Sequence, residues 1–251
     1  MPRAVAPDRV VVNTADQSLL LYRDNAPVLK LRTIVGDRKH PTPILALKMA
    51  AVTLNPPWDL PPSIASKEIL PHLKKNPNYL ADSNMIIVND KTNDPQGLSV
   101  DWTRYTAKNF PMRLRQLPGA HNSLGRVKLE MWNAFNIYLH DTPSRNLFDK
   151  TSRYMSHGCV RVDQAHDLAR HVLMNQPGWD SAALLAGIDA GDSKTIRLKQ
   201  SLPVQILYWT VFVDGAGELQ FREDAYRRDA PVSEALRATA KRAVTQVASG
   251  P

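Results

Sequence analysis

Two short stretches hold the residue types best suited to chemistry: Tyr138-Leu-His-Asp-Thr142 and Ser156-His-Gly-Cys-Val-Arg-Val162. Cys159 is the only cysteine in the chain. A thiol attacks carbonyl carbon as its thiolate, and free cysteine ionises near pH ~8.5. A neighbouring imidazole that takes the proton would leave a thiolate–imidazolium pair, which predicts thiol ionisation below that value. Gly158 lacks a Cβ, so the chain can turn tightly before Cys159 and bring backbone N–H groups against a substrate. Those N–H groups suit an oxyanion. Both His140 and His157 are candidates for the base. His157 is nearer in sequence, but its ring need not point across the Gly158 turn. His140 ends a strand-like run on the face it shares with Tyr138, which favours it and leaves His157 open. The plain alternatives are a buried cysteine, a strand-end histidine and a turn histidine.

Bulk properties narrow the classes. The 251 residues are 43% hydrophobic and 22% charged, as in an ordinary globular chain. No stretch reaches the ~20 apolar residues that span a bilayer, and the start lacks the apolar centre of a signal peptide. The sequence therefore implies either a cytosolic protein or an exported one whose leader is not in this chain. The net charge of +8 favours anionic partners. The basic residues are scattered in pairs such as Lys74-Lys75 and Arg227-Arg228, without the basic stripe of a nucleic-acid binder. A lone cysteine excludes an internal disulfide and a thiolate-rich zinc site.

The elements that must position these residues read mostly as strands. Arg9–Asn13, Ser18–Tyr22, Val28–Val35 and Leu45–Leu54 follow one another closely, as in an antiparallel meander. Asn55-Pro-Pro-Trp-Asp-Leu-Pro-Pro62 then carries four prolines in eight residues and admits neither helix nor central strand. Ser63 is a candidate cap for a short helix to about Leu70. Residues 55–122 read as an irregular insertion, and connections of that length are commonly lids or binding elements. Its Trp58 and Trp102 are candidate lid contacts to a ligand or core residues, with core packing expected of at least one. Val127–Met131 and Phe135–His140 read as strands, the second with Phe135, Ile137 and Leu139 on one face. A helix beginning near Asp163 would bury Ala165, Leu168, Ala169, Val172 and Leu173. Asp180 can cap another helix before a strand at Thr195–Leu198. Val204–Val213 and Glu218–Phe221 flank the hairpin signal Asp214-Gly215.

His140 followed nineteen positions later by the cysteine of Ser156-His-Gly-Cys-Val-Arg161 resembles the signature of the L,D-transpeptidase catalytic domain. Val35-Gly36, Pro41-Thr-Pro43, Asn55-Pro-Pro-Trp58, Pro61-Pro-Ser-Ile64, Ile69-Leu-Pro71 and Asp141-Thr142 are similar to its larger, lid-bearing branch, and the resemblance covers about residues 9–230. It implies an α+β, mainly β fold with peripheral helices: a β-sandwich-like catalytic domain over 1–54 and 123–230, an inserted lid or capping subdomain over 55–122, and a helical tail over 231–251. It also implies that Cys159 attacks the third residue of a peptidoglycan tetrapeptide stem and expels D-alanine. His140 would be the base, oriented by a backbone carbonyl. Gly158, with Cys159, would supply oxyanion N–H groups, helped by Tyr138. Ser156, His157 and Arg161 would shape the pocket, Arg161 by gripping a substrate carboxylate. A second stem's amine would complete a 3→3 cross-link, with no cofactor and no metal. Carbapenem-type inhibitors would acylate the same thiol. A cell-envelope or periplasmic setting follows from that substrate.

The same acyl-enzyme would serve an L,D-carboxypeptidase, in which water resolves it, or a transferase that anchors a lipoprotein. A different class is a non-catalytic wall-binding module, against which the intact His140 and Cys159 argue. Zinc held by His140, His157 and Cys159 would need a ligand spacing unlike common motifs.

Overall fold

The structure is a computed structural model that describes residues 5–237. Short apolar runs with period-2 burial make its strands. β1 (Arg9–Asn13), β2 (Ser18–Arg23) and β3 (Ala26–Gly36) form the expected antiparallel meander. β4 (Leu45–Leu54) departs from it. Instead of lying beside β3, it pairs with β8 (Val127–Glu130) and with β12 (Lys194–Leu207). The single strand β12 replaces the two runs expected there. A register shift between Arg197 and Leu202 interrupts its ladder just before Pro203, the kind of irregularity that tolerates a residue without an N–H.

β9 (Leu139–His140) and β11 (Val160–Val162) complete the main sheet, with β10 (Tyr154–Ser156) alongside β3. Pairing runs β3–β11–β9–β8–β4–β12–β1–β2, and β2 pairs again with β3, so the hydrogen-bonding circuit closes. Closure leaves few open edges. Val10, Val12, Leu19, Leu21, Val52, Leu54, Leu129, Leu139, Val160 and Val204 fill the core. α4 (Ala165–Leu173) covers it with the predicted face, Ala165, Leu168, Ala169, Val172 and Leu173 all being buried. It starts two residues later than expected because Gln164 adopts a left-handed conformation. Asp180 caps α5 (Ser181–Asp189) through the Ala183 N–H at 2.8 Å. The predicted hairpin forms between β13 (Val211–Val213) and β14 (Leu219–Phe221). Residues 229–237 are helical, and the rest of the expected tail helix lies outside the described residues.

Residues 55–122 are more regular than their prolines suggested. β5 (Trp58–Asp59), β7 (Leu114–Gln116) and β6 (Met85–Ile87) form a separate three-stranded sheet. Helical turns α1 (Pro62–Ile64), a π-helical segment (Ala65–Ile69), α2 (Leu70–Leu73) and α3 (Tyr79–Asp82) pack on it. Ser63 lies inside the first helical turn, and Pro61 holds the cap position instead. Leu60, Ile69, Leu73, Leu80, Met85, Trp102 and Leu114 build a second apolar core. At its base, Asn55 Nδ2 donates to the carbonyls of Gly187, Ile188 and Asp192, while Asn55 Oδ1 accepts from Arg126.

Candidate active site

The site is built by the parallel pair β9–β11, whose register sets Val160 beside Leu139 and Arg161 beside His140. Leu139, Val160 and Val162 are wholly buried in the core. Alternation then turns Tyr138, His140, Cys159 and Arg161 to the opposite face. On the other side of β9, Lys128 of β8 is the register partner of His140. The imidazole is thus flanked across the sheet by a guanidinium and an ammonium.

His140 is 5% exposed, and its Nδ1 lies 2.6 Å from the carbonyl oxygen of Asp141. A carbonyl can only accept, so the proton sits on Nδ1 and Nε2 carries the lone pair. Burial, reinforced by the charges of Arg161 and then Lys128, holds the His140 pKa down at about 3. Burial likewise pushes the Cys159 thiol up, against the opposing pull of the Tyr138 backbone N–H and hydroxyl, Lys128 and Arg161. The free site therefore holds a thiol and a neutral imidazole. This corrects the expectation of a resting thiolate–imidazolium pair with a lowered thiol pKa: burial disfavours both ions. The thiol donates to the Asn136 carbonyl at 3.5 Å.

Asn133 and Asn136 also explain why β9 is only two residues long. The Asn133 carboxamide accepts from the N–H groups of Phe135 and Ile137 and donates to the Met131 and Ile137 carbonyls. Asn136 sits at φ 53°. The chain from 133 to 137 is an Asx-stabilised loop, and Phe135 is exposed instead of sharing a buried face with Ile137. The alternation suggested a strand; the two asparagines were the overlooked signal.

The nucleophile loop is braced from several directions. Gly158 takes φ +110°, and its carbonyl accepts from Thr42 Oγ1 at 2.8 Å. The Ser156 hydroxyl donates to the Cys159 carbonyl and accepts from the Gly158 N–H at 3.1 Å. That second bond corrects the expectation for Gly158, whose N–H is engaged within the loop and is not offered to an oxyanion. Ser156 is consequently a loop brace. Tyr138, in contrast, has its hydroxyl toward the Cys159 sulfur and is approached by the Trp58 side chain; burial, followed by the sulfur's proximity, raises its pKa. Arg161 is partly buried beside Cys159.

His157 stands apart from this group. Its Nε2 lies 2.8 Å from Glu68 of the π-helical segment, and its ring packs against His40 with centroids 4.9 Å apart. Trp58 reaches the site, whereas Trp102 is 3% exposed and packs with Tyr105 and Phe110 inside the second core. Trp102 is thus a core residue and not a lid contact, the core role expected of at least one of the two tryptophans. Lys128, Glu68, Asn136 and Thr42 were not legible as site neighbours, because strand register and loop closure bring them there. Among the described residues, no group of three or more histidine, cysteine or acidic side chains is arranged to hold a metal ion.

Over 224 residues the chain is 33% identical to a Haemophilus influenzae protein named "Putative L,D-transpeptidase". The match covers 89% of this chain and 45% of that protein, so the chain spans less than half of that relative's length. Among solved structures, the Ldtfm–avibactam carbamoyl enzyme is similar at 9% identity and TM-score 0.38, covering 82% of this chain and 50% of that one. Mycobacterium tuberculosis L,D-transpeptidase 3 with a faropenem-derived adduct is similar at 11% identity and TM-score 0.37, covering 80% and 60%. Residues 7–193, which include the β9–β11 pair, the loop that carries Cys159 and the whole of 55–122, match the family described as YkuD, L,D-transpeptidase catalytic domain. With a match over that much of its length, the chain belongs to the L,D-transpeptidase catalytic domain family.

Proposed function

We propose that this chain is a cysteine-dependent L,D-transpeptidase that makes 3→3 peptidoglycan cross-links, with Cys159 as nucleophile and His140 as base. The observation that carries the reading is the β9–β11 register, which sets both side chains on one face while Asp141 holds the imidazole as the Nδ1–H tautomer. The thiol attacks the carbonyl at the L-centre of the third stem residue as its proton passes to Nε2. The oxyanion accepts hydrogen bonds from the Cys159 N–H and the Tyr138 hydroxyl. Collapse of the intermediate returns the proton to the departing D-alanine amine and leaves a thioester. An amine of a second stem then attacks that thioester, His140 takes its proton, and Cys159 leaves as a thiol. Arg161 binds a stem carboxylate.

Residues 1–54 and 123–230 form the catalytic domain in this reading, and 55–122 cap it. Trp58 against Tyr138 and Glu68 against His157 support the cap. The substrate sets the activity in the cell envelope. Among the described residues, no helix is long and apolar enough to cross a membrane.

Incubation with disaccharide-tetrapeptide and mass analysis of products tests the reaction. A dimer lacking one D-alanine is expected. Free tripeptide alone would make water the acceptor and the chain an L,D-carboxypeptidase. A carbapenem should add once to the parent and not to Cys159→Ala; an adduct that persists on the alanine variant removes Cys159 from the role.

A further inference from the structure

Lys128 was assigned no role by its sequence context, yet it occupies an informative position in the site. It is the cross-strand partner of His140. Its side chain is 20% exposed, and its Nζ lies 3.0 Å from Glu130 Oε2. The same ammonium stands 4.4 Å from the centre of the Tyr138 ring, within cation–π range. Glu130 is itself held, since its Oε1 accepts from Thr53 at 3.1 Å. The Tyr138 ring meets His140 edge-on at 5.6 Å, and its hydroxyl reaches the Cys159 sulfur. One fixed cation therefore touches the residue that touches both reacting side chains.

We infer that Lys128 is a positioning residue for the Cys159–His140 pair: its anchored ammonium keeps His140 in the proton-accepting form, holds Tyr138 against the sulfur and favours the thiolate as it forms. The inference rests on the proposed roles of Cys159 and His140. The other charges around the pair are accounted for. Arg161 of β11 flanks His140 on the opposite side, and Glu130 is Lys128's own partner. The Asp141 carboxylate is committed to the Arg126 N–H and to Arg145. His157 pairs with Glu68, and His40 with Asp37. Arg161 lies in β11, two residues after Cys159. Lys128 instead comes from a separate strand, and a single substitution can remove its charge without altering the nucleophile loop.

Because the chain has one cysteine, iodoacetamide labelling followed by intact mass reads Cys159 alone. The pH profile of its rate gives both the ionisation midpoint and the reactivity of the full thiolate. Lys128→Met keeps the stem and removes the charge. Its midpoint should rise, so that labelling at pH 8 slows about three- to tenfold while the high-pH plateau matches the parent. Lys128→Arg should restore the rate to within about twofold. Glu130→Gln removes the counter-charge and should move the midpoint down, which keeps the test decisive if Lys128→Met does not fold. An unchanged midpoint in Lys128→Met, a loss that persists at the plateau, or an unmoved or raised midpoint in Glu130→Gln would overturn the inference. Labelling needs no substrate. Failure of the transpeptidase reading would appear separately, as a parent protein that forms neither carbapenem adduct nor cross-linked product.

Discussion

Asp141 follows the proposed base, His140, directly, where a third catalytic member would be sought, and the structure gives it another task. Its side chain is 7% exposed; Oδ2 accepts the Arg126 N–H at 2.8 Å, and Oδ1 pairs with Arg145. Only its main-chain carbonyl meets His140. Asp141→Ala would orphan a part-buried backbone donor, at a cost of about 1–3 kcal/mol. It would also remove an ion pair whose arginine is half-exposed, worth about 0.5–1 kcal/mol. The expected loss is about 2–4 kcal/mol, or a Tm lower by about 5–12 °C for a chain of this size. Asp141→Asn keeps an acceptor for the N–H and should lose about 1 kcal/mol. Both variants retain the main-chain carbonyl, so carbapenem acylation per folded molecule should stay within about threefold of the parent. Where a carboxylate does hold the catalytic histidine, removing its charge costs about 10⁴-fold. Urea unfolding followed by tryptophan fluorescence measures the first effect, and stopped-time intact mass measures the second. A folded Asp141→Asn protein that acylates a hundredfold more slowly would refute the assignment and make the carboxylate part of the base.

Three further outcomes follow from the packing. The folded His140 pKa of about 3 lies below the ordinary value of 6.5, so the unfolded chain takes the proton first and stability falls as pH drops from 6.5 toward 3; by pH 4 the share from this residue is about 3 kcal/mol, which should be missing from the pH dependence of His140→Gln in urea titrations. Gly125 sits at φ +62° with the position of an added Cβ 2.3 Å from Asp141 Oδ2, so Gly125→Ala should cost about 2 kcal/mol or more in the same assay, and a neutral result would mean that the loop relaxes freely. Trp102→Ala should destabilise by about 3–5 kcal/mol as a core truncation, whereas Trp58→Ala, partly exposed and set against Tyr138, should slow acylation with a smaller loss of stability; a reversed pattern would exchange their roles.

The parts of this site that were legible in the sequence are those whose chemistry is contiguous. Ser156 to Arg161 form one turn and the start of one strand, so residue types and order already describe a nucleophile loop. His140 was legible as a candidate because it ends an apolar run, although choosing it over His157 needed the register of β9 against β11 and the contact between His157 and Glu68. Lys128 was invisible for the same reason: a lysine in an alternating strand reads as solvated surface until its cross-strand neighbour is known. The three-stranded sheet within 55–122 escaped detection because its strands are two or three residues long, too short to show a period. The β4–β12 pairing joins residues about 150 positions apart, and local patterning carries no information on such partners.

A neutral resting site also changes how the activity is best understood. With the thiol pKa raised by burial and the imidazole held basic only in its neutral form, the proposed mechanism forms the thiolate mainly while a carbonyl is being attacked. In that mechanism, reactivity depends on what the acyl donor brings: its carbonyl in line with Sγ, and its developing oxyanion against the Cys159 N–H and Tyr138 hydroxyl. In this reading the Arg161–His140–Lys128 row serves both states: it opposes protonation of His140 at rest, and the same two positive charges favour the Cys159 thiolate once the proton has begun to move.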